Sequence, residues 1–205
     1  MRLLLLVVVA LTLTACGSEA DDAAAPSPPT VTATGTTTVE SEPAAPEVEC
    51  STAGLRLNLP EQELPEVVAE VRQRVFDAAV ACDYETLEQI ALEQGEGFTF
   101  SYGAAPEDSA AEHWRQVEEA GTEQPLPMRA LATILALPST RNETGSHAWP
   151  AAYTEAPTDS DWQALVDAGL YTQEQVDSMR DGGSYVGYRT AITPEGDWEF
   201  FVAGD

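Results

Sequence analysis

Three side chains in the last third of the sequence could take part in chemistry, namely His147, Tyr188 and Arg189. His147 stands beside Trp149 in an apolar stretch, where an imidazole can act as a general base, although the plainer interpretation is a histidine that only packs. Arg189 lies in a predicted strand, where a half-buried guanidinium needs an anion. That anion is either a neighbouring Glu, Asp205 with the chain terminus, or the carboxylate of a ligand.

Recognised catalytic motifs do not accompany these three candidates. The sequence contains no Gly-x-Ser-x-Gly, no Ser-x-x-Lys and no glycine-rich phosphate loop with a lysine, so no catalytic residue is assigned. The other histidine, His113, is interpreted as a surface or half-buried residue of a helix. No metal site and no cofactor are predicted, because Cys-x-x-Cys and His-x3-His spacings are missing. Asp159-Ser160-Asp161 has only part of a calcium-loop pattern.

The three cysteines divide into one near the N-terminus and a later pair, Cys50 and Cys82. Cys50 precedes the first predicted helix of the domain and Cys82 ends it. We predict a disulfide between them, with two free thiols or a metal pair as alternatives. Closing a loop of about 33 residues would stabilise the fold by about 3–4 kcal/mol. The bridge would hold an entry strand, Cys50–Leu59, across the helix.

The N-terminus predicts export. One arginine precedes an apolar run, Leu3–Leu13, of about 11 residues, which is shorter than the roughly 20 needed to span a bilayer and is typical of a signal-peptide core. The following Leu13-Thr14-Ala15-Cys16 resembles the bacterial lipobox. The resemblance implies cleavage before Cys16, lipid on that cysteine, and a membrane-anchored protein on the outer face of the cell membrane. The alternative is an ordinary secretory signal.

Composition divides the rest of the chain. Residues 17–48 are rich in Ala, Pro, Thr and acidic residues and predict a disordered tether. The predicted organisation is therefore a signal peptide at 1–15, a lipidated cysteine with its tether at 16–48, and one domain at 49–205.

The net charge of −26, with no lysine in the chain, limits the partners. Nucleic acid and anionic membrane surfaces would be repelled by such a protein, so no nucleic-acid partner is predicted. Cationic partners or metal ions could be attracted, although a solvated acidic surface is the plainer interpretation. The expected partners are the membrane, through the lipid on Cys16, and a protein, cell-wall component or small ligand.

Hydrophobic periodicity predicts an α+β fold in which a small antiparallel sheet packs with several short helices. Capping boxes at Ser109–Glu112 and Thr172–Gln175 predict two helix starts. The predicted strands are 98–102, 147–153, 185–192 and 198–203, with Pro150 placing the second at an edge or bulge. In the last strand, strict alternation places Trp198, Phe200 and Val202 on one face.

Two resemblances extend this interpretation. Asp83-Tyr84-Glu85-Thr86-Leu87, between an amphipathic helix and Gly97-Phe98-Thr99-Phe100, resembles the start of NTF2-like domains over residues 64–118. This implies a cone-shaped fold with a pocket in part of the chain. Residues 50–205 resemble a group of uncharacterised actinobacterial lipoproteins and related proteobacterial secreted proteins, through Trp149-Pro150, Gly187-Tyr188-Arg189 and the ending Trp198-x-Phe-Phe-Val-Ala-Gly-Asp205. That likeness implies an exported setting and transfers no catalytic residue.

The sequence therefore favours a lipid-anchored envelope protein that is a non-catalytic binding or accessory module. One alternative is an enzyme of hydrolase or isomerase type, with an NTF2-like pocket near His147, Tyr188 and Arg189. The other is a purely structural lipoprotein.

Overall fold

The computed structural model of the protein describes residues 50–93, 97–103 and 108–204. These residues belong to one compact unit, Ala44–Asp205. The predicted signal peptide, Cys16, the tether and Asp205 lie outside the described residues.

The described residues form six α-helices and a four-stranded antiparallel sheet with the strand order β1-β2-β3-β4. The helices are α1 Glu66–Ala81, α2 Tyr84–Leu92, α3 Ala110–Ala120, α4 Pro127–Ala136, α5 Asp159–Asp167 and α6 Gln173–Gly182. The strands are β1 Thr140–Arg141, β2 His147–Trp149, β3 Arg189–Ile192 and β4 Trp198–Val202. This confirms the α+β class. Within the part of the chain described, no helix has both the length and the apolar character needed to cross a membrane.

Helix α4 is the most deeply buried helix and depends on its neighbours at both ends. Eight of its ten residues are buried, and its N-cap residue, Leu126, has no side chain that can accept a hydrogen bond. Instead, Glu118 of α3 accepts a hydrogen bond from the backbone N–H of Met128 (2.7 Å). A carboxylate at a helix N-terminus is also favoured by the helix dipole. The same Glu118 oxygen accepts from Ser51 Oγ (2.9 Å), which ties in the entry segment.

Arg72 of α1 satisfies the other end of α4. Its Nε and Nη2 donate to the carbonyl of Leu135 (3.0 and 2.6 Å), and its Nη1 donates to the carbonyl of Pro60 (2.9 Å). The guanidinium lies 5.7 Å from the ring centroid of Trp149 in β2. Burial lowers the pKa of Arg72 to about 10. Arg72 therefore joins α1, α4, the entry segment and the sheet without a carboxylate partner.

The predicted disulfide between Cys50 and Cys82 is present, with a Cα–Cα distance of 5.9 Å. The entry segment was predicted to be a strand and is not, because residues 51–54 form turns and 55–59 pair with no strand. Thr52 nevertheless binds the end of α1 by donating its hydroxyl to the carbonyl of Val80 (2.7 Å). The bridge therefore fastens a turn, rather than a strand, to the C-terminus of α1.

Capping side chains are found at the starts of helices α3, α5 and α6. The Thr172 and Gln175 capping box at α6 is confirmed, and Thr158 forms another with Asp161 at α5. At α3 only half of the predicted box forms. The side chain of Ser109 accepts from the N–H of Glu112, but the side chain of Glu112 does not accept from the N–H of Ser109. The Ser109 hydroxyl also donates to Glu88 of α2 (2.8 Å), and this hydrogen bond joins α2 to α3.

A β-bulge changes the predicted faces of the last strand. Ala191 pairs with Phe200, but Ile192 pairs with Trp198, so Glu199 is an extra residue in β4. An extra residue reverses the alternation of side chains beyond it. Trp198 and Phe201 are therefore buried in the helix-facing core. The prediction that Trp198 shares a face with Phe200 and Val202 was wrong.

Two other strand predictions need correction. Residues 98–102 do not form the predicted strand, because Thr99 makes only an isolated parallel bridge to Phe200. The strand at 147 ends at Trp149, and β2 pairs on both sides, so Pro150 follows an interior strand. The strand expected from 185 begins only at Arg189.

We expect replacement of Arg72 by Met (R72M) to lower the free energy of unfolding by about 2–4 kcal/mol, because the buried carbonyl of Leu135 loses both of its donors from Arg72 and the carbonyl of Pro60 loses one. Chemical denaturation measures the change. Arg74→Met on the same helix is the matched control, since its ion pair with Glu93 is exposed and contributes little. Equal losses in R72M and R74M would contradict the role assigned to Arg72.

Candidate functional site

Two adjoining cavities lie along α3, and together we call them the α3 groove. One, the aromatic cavity, has a volume of about 310 Å³, and the other, the polar cavity, about 440 Å³. Both volumes fall in the range of small-molecule sites. The two share one wall, formed by Phe100, Ser101, Gly103 and His113. The further rings of the aromatic cavity are Tyr102, Trp114, Tyr188 and Phe201. The further polar residues of the polar cavity are Asp108, Ser109, Glu112 and Gln116.

Backbone pairing with β4 positions the shared wall. The N–H of Thr99 donates to the carbonyl of Glu199 (3.1 Å), and the N–H of Phe201 donates to the carbonyl of Thr99 (2.9 Å). The ring of Phe98 lies 4.6 Å from Trp198 and 6.1 Å from Trp114 in the core. Phe98 therefore holds residues 98–103 against the sheet, while the residues that follow it face the groove.

Helix α3 supplies the opposite wall. Ser109, Glu112, His113 and Gln116 recur at a spacing of three and four residues, which places them on one face of the helix. Trp114 is turned into the core and is buried. The ring of His113 is half-buried and lies 5.3 Å from the ring of Phe100 across the groove.

Tyr188 and Glu123 form the polar pair of the aromatic cavity. The hydroxyl of Tyr188 donates to Glu123 Oε2 at 2.7 Å, and the ring stacks on Phe201. Burial, followed by the carboxylate of Glu123, raises the pKa of Tyr188 well above its ordinary value. Tyr188 therefore stays protonated at neutral pH and acts as a hydrogen-bond donor rather than as a base.

The structure does not bring the three predicted candidates to one site. His147 pairs with Ile192, whereas Arg189 pairs with Val202 at the other end of β3, about 10 Å away along the strand. An odd separation in β3 also places them on opposite faces of the sheet. Tyr188 lines the groove, while the adjacent Arg189 faces the other side of the sheet.

His147 is buried in the sheet, and its Nε2 has no hydrogen-bond partner among the described residues. Burial, helped by the positive charge of Arg141, lowers its pKa below the ordinary value. The imidazole is therefore neutral at pH 7. Its ring lies 6.4 Å from that of Trp149, so the plainer interpretation, a histidine that packs, describes its surroundings.

No group of three or more potential metal ligands occurs in residues 50–93, 97–103 and 108–204. The calcium-like acids near α5 have other partners in the structure. Asp159 pairs with Arg180 of α6 (2.6 Å), and Asp161 completes the capping box of α5.

Sequence reasoning missed the groove residues His113, Glu123 and Tyr102. The polar spacing on α3 was visible in the sequence, but a polar helix face usually meets only solvent. Nothing in the sequence indicated that residues 100–103 would lie opposite that face.

We expect stability to fall as the pH rises above about 10, because buried tyrosines keep protons that the unfolded chain releases there. Burial raises the pKa of Tyr84 to about 12 and also raises the pKa of Tyr171, Tyr185 and Tyr188. A raised pKa contributes stability that is complete below the unfolded value and is lost above it. The lowered pKa of Arg72 makes stability rise with pH in the same range, but this is one group against four tyrosines.

Denaturation curves between pH 8 and pH 12 measure this slope, which amounts to about 1.4 kcal/mol per pH unit for each proton. Tyr188→Phe should make the decline shallower. A slope that Y188F leaves unchanged, or stability that rises with pH, would contradict the expectation.

The α3 groove thus combines an aromatic cavity, a protonated phenol paired with a carboxylate, and a polar extension along one helix. No protein-family model, curated protein or solved structure matches this chain. What the groove can bind therefore follows from its own side chains.

Proposed function

We propose that this chain is an exported lipoprotein, anchored through lipid on Cys16 to the outer face of the cell membrane, whose domain binds a small ligand in the α3 groove. The observation that carries the binding role is the aromatic cavity of about 310 Å³ with the Tyr188–Glu123 pair on its wall.

The disulfide supports the extracytoplasmic address. Bridges of this kind form and persist in oxidising compartments and are rare in the cytosol. Two of the three cysteines, Cys50 and Cys82, are joined to each other. Cys16 is therefore the one cysteine left for another modification, and it directly follows the lipobox-like Leu13-Thr14-Ala15.

The lining of the groove supports binding of a ligand with a ring-sized apolar part and polar substituents. Aromatic side chains offer large, rigid faces on which a flat or ring-shaped group stacks. The hydroxyl of Tyr188 is committed to Glu123, so the carboxylate of Glu123 is oriented and can accept a second hydrogen bond from a ligand. The polar cavity beyond His113 offers further donors and acceptors.

Metabolic labelling with an alkyne analogue of palmitate tests the anchor in cells that express the full chain. We expect label on the wild type and none on Cys16→Ser. The double variant Cys50→Ala, Cys82→Ala is the control and should keep the label, because those sulfurs are not the acceptor. An unlabelled wild type, or label retained by C16S, would exclude anchoring through Cys16.

Blocking the groove tests the binding role. Gly103 borders both cavities, and a β-carbon added there meets no atom within 4 Å, so Gly103→Trp should fold and fill the groove. Gly97→Trp is the matched control, since Gly97 is equally open and does not line either cavity.

Ligand-detected NMR with a library of small ring-containing fragments gives the measurement. We expect fragments that bind the wild type and G97W, with affinity reduced at least about tenfold in G103W. The binding role would be wrong if G103W bound the same fragments as strongly as G97W, or if no fragment bound the wild type.

A further inference from the structure

Arg189 is a buried cation whose hydrogen-bonding capacity is only partly used. The residue is 6% exposed, and its Nε has no partner among the described residues. Nη1 donates to the carbonyl of Gly187 (3.2 Å), and Nη2 donates to the hydroxyl of Tyr102 (3.0 Å). The guanidinium lies over the rings of Tyr153 and Tyr102, at 5.3 and 5.9 Å from their centroids.

Arg72 shows how this chain satisfies an arginine that has only a structural role. It is buried to a similar degree, yet all three of its nitrogens donate to backbone carbonyls. In particular, Nε and Nη2, which form one edge of the guanidinium fork, both reach the carbonyl of Leu135. In Arg189 the same edge holds only the hydroxyl of Tyr102.

The charge of Arg189 is also uncompensated by its described neighbours. The two ion pairs found in the described residues involve Arg74 and Arg180. The guanidinium instead contacts the hydroxyl of Tyr102 and lies over the rings of Tyr102 and Tyr153. A buried charge without a counter-charge is costly, whereas an arginine that binds a carboxylate through two parallel hydrogen bonds is among the strongest polar pairs.

Arg189 is linked to the aromatic cavity through the side chain of Tyr102, although Arg189 itself leaves β3 on the face of the sheet opposite Tyr188. Tyr102, its hydrogen-bond partner, lines that cavity, and so does Val202, its pairing partner across β3 and β4. Tyr102 is 62% exposed, so its ring can rotate away without leaving a hole in the core. When the ring of Tyr102 moves, the Nη2 that now donates to its hydroxyl becomes free for a ligand group that takes the place of that hydroxyl.

We propose that the ligand of the aromatic cavity bears a carboxylate, which displaces the hydroxyl of Tyr102 and binds Nε and Nη2 of Arg189. This inference rests on the proposed binding function and adds the chemical class of the ligand. A carboxylate has two oxygens that match the two donors of that edge, including the Nε that is now without a partner. The acidic surface of the protein repels a carboxylate at long range, but salt screens this repulsion. The hydrogen bonds to Arg189 act at short range and are shielded from water.

Phenylacetate and phenylacetamide are suitable probes, since they share shape and ring and differ in the carboxylate. Calorimetric titration of the purified full chain should give about tenfold tighter binding of phenylacetate. Arg189→Gln should remove this preference. Arg141→Gln, which changes an exposed strand arginine, is the matched control and should retain it.

Tyr102→Phe provides a second variant that does not depend on altering a buried residue. Without its hydroxyl, Nη2 is freed, so phenylacetate should bind about threefold to tenfold more tightly while phenylacetamide is unaffected. Equal binding of the two probes, with no effect of Y102F, would overturn the carboxylate site and leave the binding role of the groove intact.

Two other outcomes would also overturn the proposal. If Asp205→Asn and R189Q lowered the free energy of unfolding equally, and Y102F did not change phenylacetate binding, the arginine would belong to the chain's own terminus. If neither probe bound at about 10 mM, the ring-binding role of the cavity would fail together with the carboxylate site.

Discussion

The fold depends on satisfying the two ends of a buried helix. An apolar helix such as α4 gains from burial, but its first N–H and last carbonyl groups lose water and need partners. The chain provides one charged residue for each end, Glu118 at the start and Arg72 at the finish. Because these residues come from α3 and α1, the same hydrogen bonds fix how those helices pack around α4. The remainder of the core, including the sheet under Trp149, is arranged on this frame.

Several acidic residues have a similar structural use, which gives the strongly negative composition a partial physical explanation. Asp83, Glu88, Glu118 and Asp161 all accept hydrogen bonds at helix N-termini. Each is favoured there both by the free N–H groups and by the helix dipole. Basic residues are rare at the opposite ends, where only Arg180 of α6 lies in a last turn among the described helices. The negative charge therefore reflects how helices are started as well as a solvated surface.

The sequence was informative where structure is local and less so where it depends on distant partners. The helix over 66–81, the capping pair Thr172 and Gln175, and the bridge between Cys50 and Cys82 follow from spacing and side-chain chemistry alone. Residues 98–102 alternate like a strand, yet their rings go to separate partners, Phe98 to Trp198 and Phe100 to His113. The bulge at Glu199 is a property of pairing between two strands, so alternation within one strand could not show it. For the same reason the groove, which combines several separate segments of the chain, was not visible in the sequence, although Tyr188 was among the named candidates.

The position of the disulfide has a mechanical consequence. The N-terminal residues join the described domain at Cys50, which is covalently bonded to Cys82 at the end of α1. Tension applied to the chain from its N-terminal side therefore passes through the sulfur atoms and continues at Cys82. The residues between the two cysteines, including the whole of α1 and Arg72, are excluded from the loaded path and cannot be extended while the bond is intact. A pull that would otherwise peel the first helix from the core is instead applied to the junction of α1 and α2.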